Sequence, residues 1–256
     1  MTALVTGGGT GIGLAIASAL ADEGVDVALA SRTERPEALE LLREKGVRAS
    51  WFRTDVGNEA DIVSTVAAVV AGFGSIDLIV SNAAQTHHEP ITRITASSWE
   101  TTLATNLSGC VFLCREALRH MIRAGRGSVL VIGSTAAHVP LYKESAYRAS
   151  KSGLKAIVEV MAVETAPYGI RVNLLTPGAF PTALLEDLPG GQIDGRYFPL
   201  GRMGRFDEIG AAAVFLLSDA LSGYTTGAEL VVDGGYRLRP MDLYTTDELR
   251  ELNTDG

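Results

Sequence analysis

The sequence predicts an α/β domain whose seven-stranded parallel sheet is covered by helices on both faces. Short apolar runs alternate with segments of helical periodicity along the whole chain. That alternation gives a parallel sheet, and right-handed crossovers give it a doubly wound order. No linker, internal repeat or low-complexity tract divides the chain. Its 256 residues, 46% hydrophobic and 20% charged, suit one large core. The expected organisation is a single domain over 1–256, with a substrate loop at 180–206 and a C-terminal tail at 236–256.

The first strand runs from Ala3 to Thr6 and opens into Gly7-Gly-Gly-Thr-Gly-Ile-Gly13, after which Leu14 to Asp22 is helical. A glycine-rich turn from strand to helix lets the backbone approach a pyrophosphate, which the exposed N–H groups and the positive end of the helix then hold. Gly7, Gly9, Thr10, Gly11, Ile12 and Gly13 are therefore candidate cofactor contacts. The second strand, Val25 to Ser31, ends in Ser31-Arg32-Thr33. An acidic residue there would suit the ribose hydroxyls of NAD. Serine followed by arginine suits a 2′-phosphate, which makes the expected cofactor NADP(H) in preference to NAD(H).

A helix from Pro36 to Lys45, a strand from Val47 to Thr54 and a helix capped by Asn58 and ending at Phe73 follow. The fourth strand, Ile76 to Ser81, precedes Asn82-Ala83-Ala84-Gln85. Ser97 to Ala124 reads as one long helix, in which polar Asn106 is either a satisfied core amide or a functional kink. Ser128 to Gly133 is the fifth strand, with Ser134 at its carboxyl end, where ligands of open parallel sheets sit. The helix Glu144 to Ala166 carries Tyr147-Arg148-Ala149-Ser150-Lys151. Ile170 to Thr176 is a sixth strand, Asp207 caps a helix through Leu217, and Glu229 to Val232 is the last strand.

Tyr147 and Lys151 stand one turn apart on one helix face. A lysine cation beside a phenol favours the phenolate and lowers a pKa that starts near 10. Such a phenol can give a proton to a carbonyl oxygen or take one from a hydroxyl.

A net charge of -8 and a pI near 5.1 argue against non-specific binding to nucleic acid or an anionic membrane. Cys110 and Cys114 suit packing better than a disulfide or a metal, and no other spacing suits a metal. His87 and His88 read as solvated loop imidazoles. With no secretory signal and no apolar run long enough to span a bilayer, the expected location is cytoplasmic.

These residues in this order resemble the classical short-chain dehydrogenases/reductases from Thr6 to Gly235. Thr6 to Gly13 is similar to the family's TGxxxGxG loop. Asp55 and Val56 resemble its adenine contact, and Asn82-Ala83-Ala84 its element after the fourth strand. Pro177-Gly178 with Phe180 and Thr182 resembles the segment that holds the nicotinamide carboxamide, and Val232 to Gly235 the closing strand. The resemblance implies a Rossmann fold and a tetrad of Asn106, Ser134, Tyr147 and Lys151. In it Tyr147 is the general acid, and Lys151 tunes it and binds the nicotinamide ribose. Ser134 polarises the carbonyl, and Asn106 holds a water. It also implies a homotetramer or homodimer formed through the helices around Cys110 and Lys155. The chain departs from the pattern at Ala84 and Gln85, at Thr10 in the cofactor loop and at Pro181.

The expected substrate is a small-molecule carbonyl compound or alcohol, and the mostly apolar groups around the site favour an uncharged or mostly apolar ketone. His138, Val139, Pro140, Leu141 and Tyr142 form one wall, Phe180, Leu184, Leu185 and Leu188 a lid, and Gln85 a further contact. The leading reading is an NADP(H)-dependent reductase of a 3-oxoacyl or polyketide-type ketone. Its alternatives are an alcohol or sugar dehydrogenase working oxidatively and a non-redox NADP(H)-binding regulator. The intact Y-x-x-x-K spacing argues against enoyl reduction.

Overall fold

The computed structural model describes residues 1–182 and 198–238. Seven strands form one parallel sheet: β1 (Thr2–Thr6), β2 (Asp26–Ser31), β3 (Ala49–Arg53), β4 (Leu78–Ser81), β5 (Gly127–Ile132), β6 (Ile170–Pro177) and β7 (Glu229–Val232). Their order is β3-β2-β1-β4-β5-β6-β7. The chain winds outward from β1 to β3, returns to the centre and winds outward again. The reversal lies between β1 and β4, whose pairing aligns Ala3 with Leu78 and Val5 with Val80. A crevice opens above such a switch point because the loops leaving the two central strands part to opposite faces.

The side-chain alternation of each strand divides the core in two. Ala3, Val5, Leu78, Val80, Leu130 and Ile132 point to one face, covered by α1 (Gly11–Asp22), α2 (Pro36–Glu44) and α7 (Phe206–Leu217). Leu4, Ile79, Val129 and Val131 point to the other, covered by α3 (Glu59–Phe73), α5 (Gly109–Ala124) and α6 (Ser145–Thr165). Central strands buried on both faces therefore read as continuous apolar runs in the sequence. A short helix α4 (Ala96–Leu103) precedes α5, and α8 (Asp219–Ser222) follows α7.

Local signals set several ends as expected. The Asn58 side chain accepts from the Ala60 N–H at the start of α3, and Gly74 ends that helix at φ 89. Two boundaries differ. The expected helix from Ser97 to Ala124 is interrupted by a π turn at Ala104–Ser108. There Gly109 packs so closely on the chain that a Cβ would lie 2.3 Å from the Val56 carbonyl oxygen. Asp207 does not cap α7 either. Glu208 reaches back to accept from the Arg205 N–H at 2.8 Å, and Asp207 pairs with the Arg205 guanidinium.

On the helices around Cys110 and Lys155, Val158 is core, Phe112 and Ile157 pack against the core, and Val160 is exposed. Among the described residues no helix is long and apolar enough to cross a membrane, and no cluster of His, Cys, Asp or Glu could hold a metal.

Candidate active site

The carboxyl ends of β1, β4, β5 and β6 open into a cavity of about 1140 Å³. It runs from the turn before α1, past the start of α6, to the segment after β6. That volume accommodates a dinucleotide and a small second molecule.

At the cavity's phosphate end, Gly7 and Gly11 take left-handed conformations, φ 63 and 53. The turn is compact: a Cβ on Gly13 would lie 2.3 Å from the Gly7 carbonyl oxygen and 2.5 Å from Asn82 Nδ2. Asn82 braces it by donating to the Thr6 and Gly7 carbonyls at 3.0 and 3.3 Å, and the Thr6 hydroxyl accepts from the Asn82 and Ala83 N–H groups. No side chain caps α1 at Thr10, so the first amides of that helix face the cavity. A cradle closed to a single methyl group, under an uncapped helix start, fits a pyrophosphate. The Thr182 methyl comes within 3.1 Å of the Cβ position of Gly11 and closes the cradle from the far side.

Arg32 lines the adenosine end, together with Asp55 and Val56. Arg35, which the sequence reading passed over, joins them; its chain crosses Gly9, whose Cβ would lie 2.8 Å from Arg35 Cγ. Among the described residues neither guanidinium makes an ion pair. Ser31 lines the cavity but its hydroxyl is committed: it donates to the Thr33 carbonyl at 2.8 Å and accepts from Trp51 Nε1 at 3.0 Å. Arg35 is thus a second cation beside Arg32 at this end of the cavity, and Ser31 shapes the turn between the two arginines. Asp55 likewise folds on its own turn, accepting from the Gly57 N–H at 2.9 Å.

At the centre, Ser134, Tyr147 and Lys151 converge from the end of β5 and the first turns of α6. The Ser134 hydroxyl stands beside the Tyr147 phenol in the cavity and favours its ionised form. Lys151 is buried, donates to the Ile132 carbonyl at 2.8 Å, and lies 5.7 Å from the centre of the Tyr147 ring. The spacing argument predicts a phenol pulled towards neutrality, and the fold reverses it. Burial pushes Tyr147 up to about 12; the Ser134 hydroxyl pulls it down and the Glu144 carboxylate pushes it further up. Burial also lowers Lys151 to about 8. A shared dry site penalises phenolate and ammonium alike, and the ammonium sits over the ring rather than at its oxygen.

Asn106 realises both alternatives open to it. It sits in the π turn, and its amide is engaged: Nδ2 donates to the Gln85 carbonyl at 2.8 Å and to Ser150 Oγ at 3.1 Å, while Oδ1 accepts from the Gln85 N–H at 2.8 Å. Both amide hydrogens are used within the protein. Asn106 ties the loop after β4 to α6, because Ser150 donates in turn to the Tyr147 carbonyl at 2.6 Å. Gln85 lines the cavity with its side chain tied to Thr101, donating to that carbonyl at 2.8 Å.

The substrate wall is partly redrawn. Leu141 and Tyr142 line the cavity, the latter 81% exposed at its mouth. His138, Val139 and Pro140 are not among its lining residues. The His138 ring is taken by Glu229, Nε2 to Oε1 at 2.6 Å, and the same carboxyl oxygen accepts from Thr176. Pro177, Gly178, Phe180 and Thr182 do line it. Phe180 is no lid residue: it is 2% exposed, stacks on Phe206 at 6.5 Å, and its ring occupies the space a Cβ on Gly204 would need. Leu184, Leu185 and Leu188 lie outside the described residues. Phe198 and Tyr236, missed in the sequence, pack together at 5.3 Å and line the same cavity, so the start of the tail folds onto its own subunit's site.

Sequence reading also missed Glu144, and it took His88 for a solvated imidazole, whereas that side chain is largely covered, 15% exposed. Glu144 lines the cavity beside Tyr147, is 6% exposed, and has its pKa raised by burial. His88 Nδ1 stands 3.4 Å from its carboxylate. The sequence carried no local signal for this pair, because 56 residues separate its members.

A Rossmann sheet with a phosphate cradle at its switch point, and a serine, tyrosine and lysine at the far end of the same cavity, defines a dinucleotide-dependent oxidoreductase. The comparisons give the family. A family model described as enoyl-(acyl carrier protein) reductase matches residues 7–237. D-Threitol dehydrogenase of Mycolicibacterium smegmatis is 40% identical over 93% of this chain and 93% of its own. The 3-oxoacyl-(acyl-carrier-protein) reductase of Chlamydia pneumoniae is 34% identical over 91% of this chain and 95% of its own. The crystal structure of a gluconate 5-dehydrogenase from Burkholderia cenocepacia, in complex with NADP and tartrate, superposes with a TM-score of 0.87 at 31% identity, over 93% of this chain and 96% of that one. The chain belongs to the classical short-chain dehydrogenases/reductases and is an oxidoreductase.

Proposed function

We propose that this chain is an NADP(H)-dependent oxidoreductase that interconverts a ketone and a secondary alcohol. The observation that carries the reading is the Tyr147 phenol, with Ser134 beside it and Lys151 buried next to it, in the same cavity as the Gly7 to Gly13 cradle. The nicotinamide, when bound, supplies or accepts the hydride. Ser134 donates to the substrate oxygen and orients it. In reduction Tyr147 gives its proton to the developing alkoxide, a task suited to a phenol that burial keeps protonated. In oxidation Tyr147 takes that proton from the alcohol, and the Lys151 ammonium is the chain's own means of stabilising the phenolate. Asn106 keeps the Gln85 loop and α6 in register around this centre.

Arg32 and Arg35 support NADP(H) over NAD(H), since two cations at the end of β2 suit a 2′-phosphate. The first reading, reduction of a 3-oxoacyl or polyketide-type ketone, has the 34% identical 3-oxoacyl reductase behind it. A second reading, oxidation of a hydroxylated alcohol or sugar, is favoured by the 40% identity to a threitol dehydrogenase and by a carboxylate, Glu144, in a pocket expected to be apolar. A complete glycine cradle and a complete Ser134–Tyr147–Lys151 set support an enzyme over a non-redox regulator.

The test is Tyr147→Phe, assayed with NADPH against ketones and with NADP⁺ against alcohols. The variant is expected to keep NADPH fluorescence enhancement and to lose roughly a hundred- to ten-thousand-fold in turnover. Near-normal turnover would remove Tyr147 from the chemistry, and wild-type protein that enhances the fluorescence of neither NADPH nor NADH would remove the enzyme reading.

A further inference from the structure

The chain carries a second buried acid in its pocket that the proton transfer does not use. Glu144 lines the cavity one helical turn before Tyr147, and its side chain is 7% exposed. Both residues line the same cavity, and the carboxylate is close enough to Tyr147 for its charge to act on the phenol. The carboxylate and the phenol can therefore address neighbouring groups of one small molecule. Glu144 stands at the N-cap position of α6 but makes no cap hydrogen bond. His88 Nδ1, 3.4 Å away, fixes it from behind, and His88 is not a cavity-lining residue.

The backbone is bent to bring Glu144 there. Lys143 has φ 66, the sole left-handed non-glycine residue among those described. A side chain in that conformation is held by its surroundings, and such strain collects at ligand sites. The surroundings are on hand. The Glu89 N–H donates to the Lys143 carbonyl at 3.1 Å, and Glu89 and Glu144 form a parallel bridge. Glu89 is itself anchored to α4, where Ser98 Oγ donates to its carboxylate at 2.6 Å. The loop after β4 thus grips the loop before α6 and turns the Glu144 position toward the site.

Burial makes the position costly for a carboxylate, and His88 faces it only from behind. The carboxylate is desolvated and pushes the neighbouring phenol the wrong way for alcohol oxidation. An acceptor-only anion in a dry pocket is satisfied by an O–H donor. Carboxylate and phosphate substrates are repelled, and a purely apolar chain offers the carboxylate no hydrogen bond.

We propose that Glu144, held in place by His88, accepts a hydrogen bond from a substrate hydroxyl next to the reacting carbon. The substrate class is then an uncharged vicinal polyol, or the corresponding hydroxyketone in the reductive direction. This rests on the hydride-transfer reading above and replaces the apolar ketone expected from the sequence.

The experiment compares kcat/KM for a four-carbon polyol, a tetritol, with that for 2-butanol, both with NADP⁺, in wild type, Glu144→Gln and Glu144→Asp. Wild type is expected to prefer the tetritol. The tetritol/butanol ratio is expected to fall at least about tenfold in Glu144→Gln, carried by KM, since sites built around a substrate hydroxyl reject analogues lacking that contact. Glu144→Asp keeps the charge beside Tyr147 but withdraws it by one methylene, so the ratio falls while the pH profile stays. An unchanged ratio in both variants overturns the proposal. So does an equal fall for both alcohols with a displaced pH profile, because Glu144 would then act only through Tyr147. If wild type oxidises neither alcohol, the hydride-transfer reading fails on its own. Calorimetric binding of the tetritol to the NADP⁺-loaded proteins then decides the contact: weaker binding in Glu144→Gln supports it, and equal binding sinks it.

Discussion

The cofactor half and the substrate half of the cavity are built on opposite plans. The cofactor half, around β1, α1 and β2, is made largely of backbone. Its specificity for a phosphate lies in what is missing: Gly13 has no Cβ where one would meet the Gly7 carbonyl at 2.3 Å. The groups concerned lie within seven residues of one another. The substrate half, around β4, β5 and α6, is made of side chains drawn from far apart. Asn106 reaches 44 residues along the chain to Ser150, His88 reaches Glu144, and His138 is drawn 91 residues away to Glu229. A backbone cradle fits any dinucleotide, whereas a wall of long-range side-chain contacts can be rebuilt for a new substrate without disturbing it.

Three changes break or sharpen this contrast, beginning with the largest effect. Gly13→Ala puts a methyl group against the backbone carbonyl of Gly7 and against Asn82 Nδ2, a side-chain amide tied down by two hydrogen bonds. NADPH affinity, read by fluorescence titration, is expected to fall at least about a hundredfold. Affinity within a few-fold of wild type would show that the cradle is not backbone-limited.

A smaller effect is expected where the cofactor half does use side chains. Replacing Arg32 and Arg35 together by alanine is expected to raise KM for NADPH about tenfold or more relative to NADH, the measure of two charge-assisted contacts to one phosphate. An unaltered NADPH/NADH ratio would take the 2′-phosphate away from this end of the cavity.

The smallest effect concerns stability. Burial lowers Lys151 from its ordinary 10.5 to about 8, so between those values the unfolded chain binds the proton that the folded chain releases. Folded-state stability therefore rises with pH across that window: the penalty for the buried ammonium is fully present below about 8 and relieved towards 10.5. Lys151→Met has no such group. Its Tm relative to wild type is expected to decline steadily as pH rises through the window, and a difference independent of pH would place the lysine in wetter surroundings.

How much of the site was legible follows the same division. Gly7 to Gly13, Asn82, Ser134, Tyr147 and Lys151 were legible because each belongs to a short pattern whose spacing alone puts it at a strand end or on a helix face. Arg35 lay in plain view after β2, but nothing local distinguishes it from a solvated arginine. The π turn was hidden because the segment is helical on both sides of it, and the contact Asn106 makes there is with a loop 21 residues earlier. Phe180 reads as part of a lid because its flanks are glycine- and proline-rich, and only the Phe206 ring and the gap above Gly204 draw it into the core.

By itself the sequence determined the alternation of strands and helices, the glycine cradle, and the serine, tyrosine and lysine at the sheet's carboxyl edge. Period, turn chemistry and helical spacing are local, and a few residues suffice to state them. Tertiary structure alone decided the electrostatics and shape of the pocket. Desolvation depends on everything that packs around a group, so the Tyr147 phenol rose where its neighbour in sequence said it would fall. Glu144 entered the site through a left-handed Lys143 and a distant His88. Neither is written in the residues next to it.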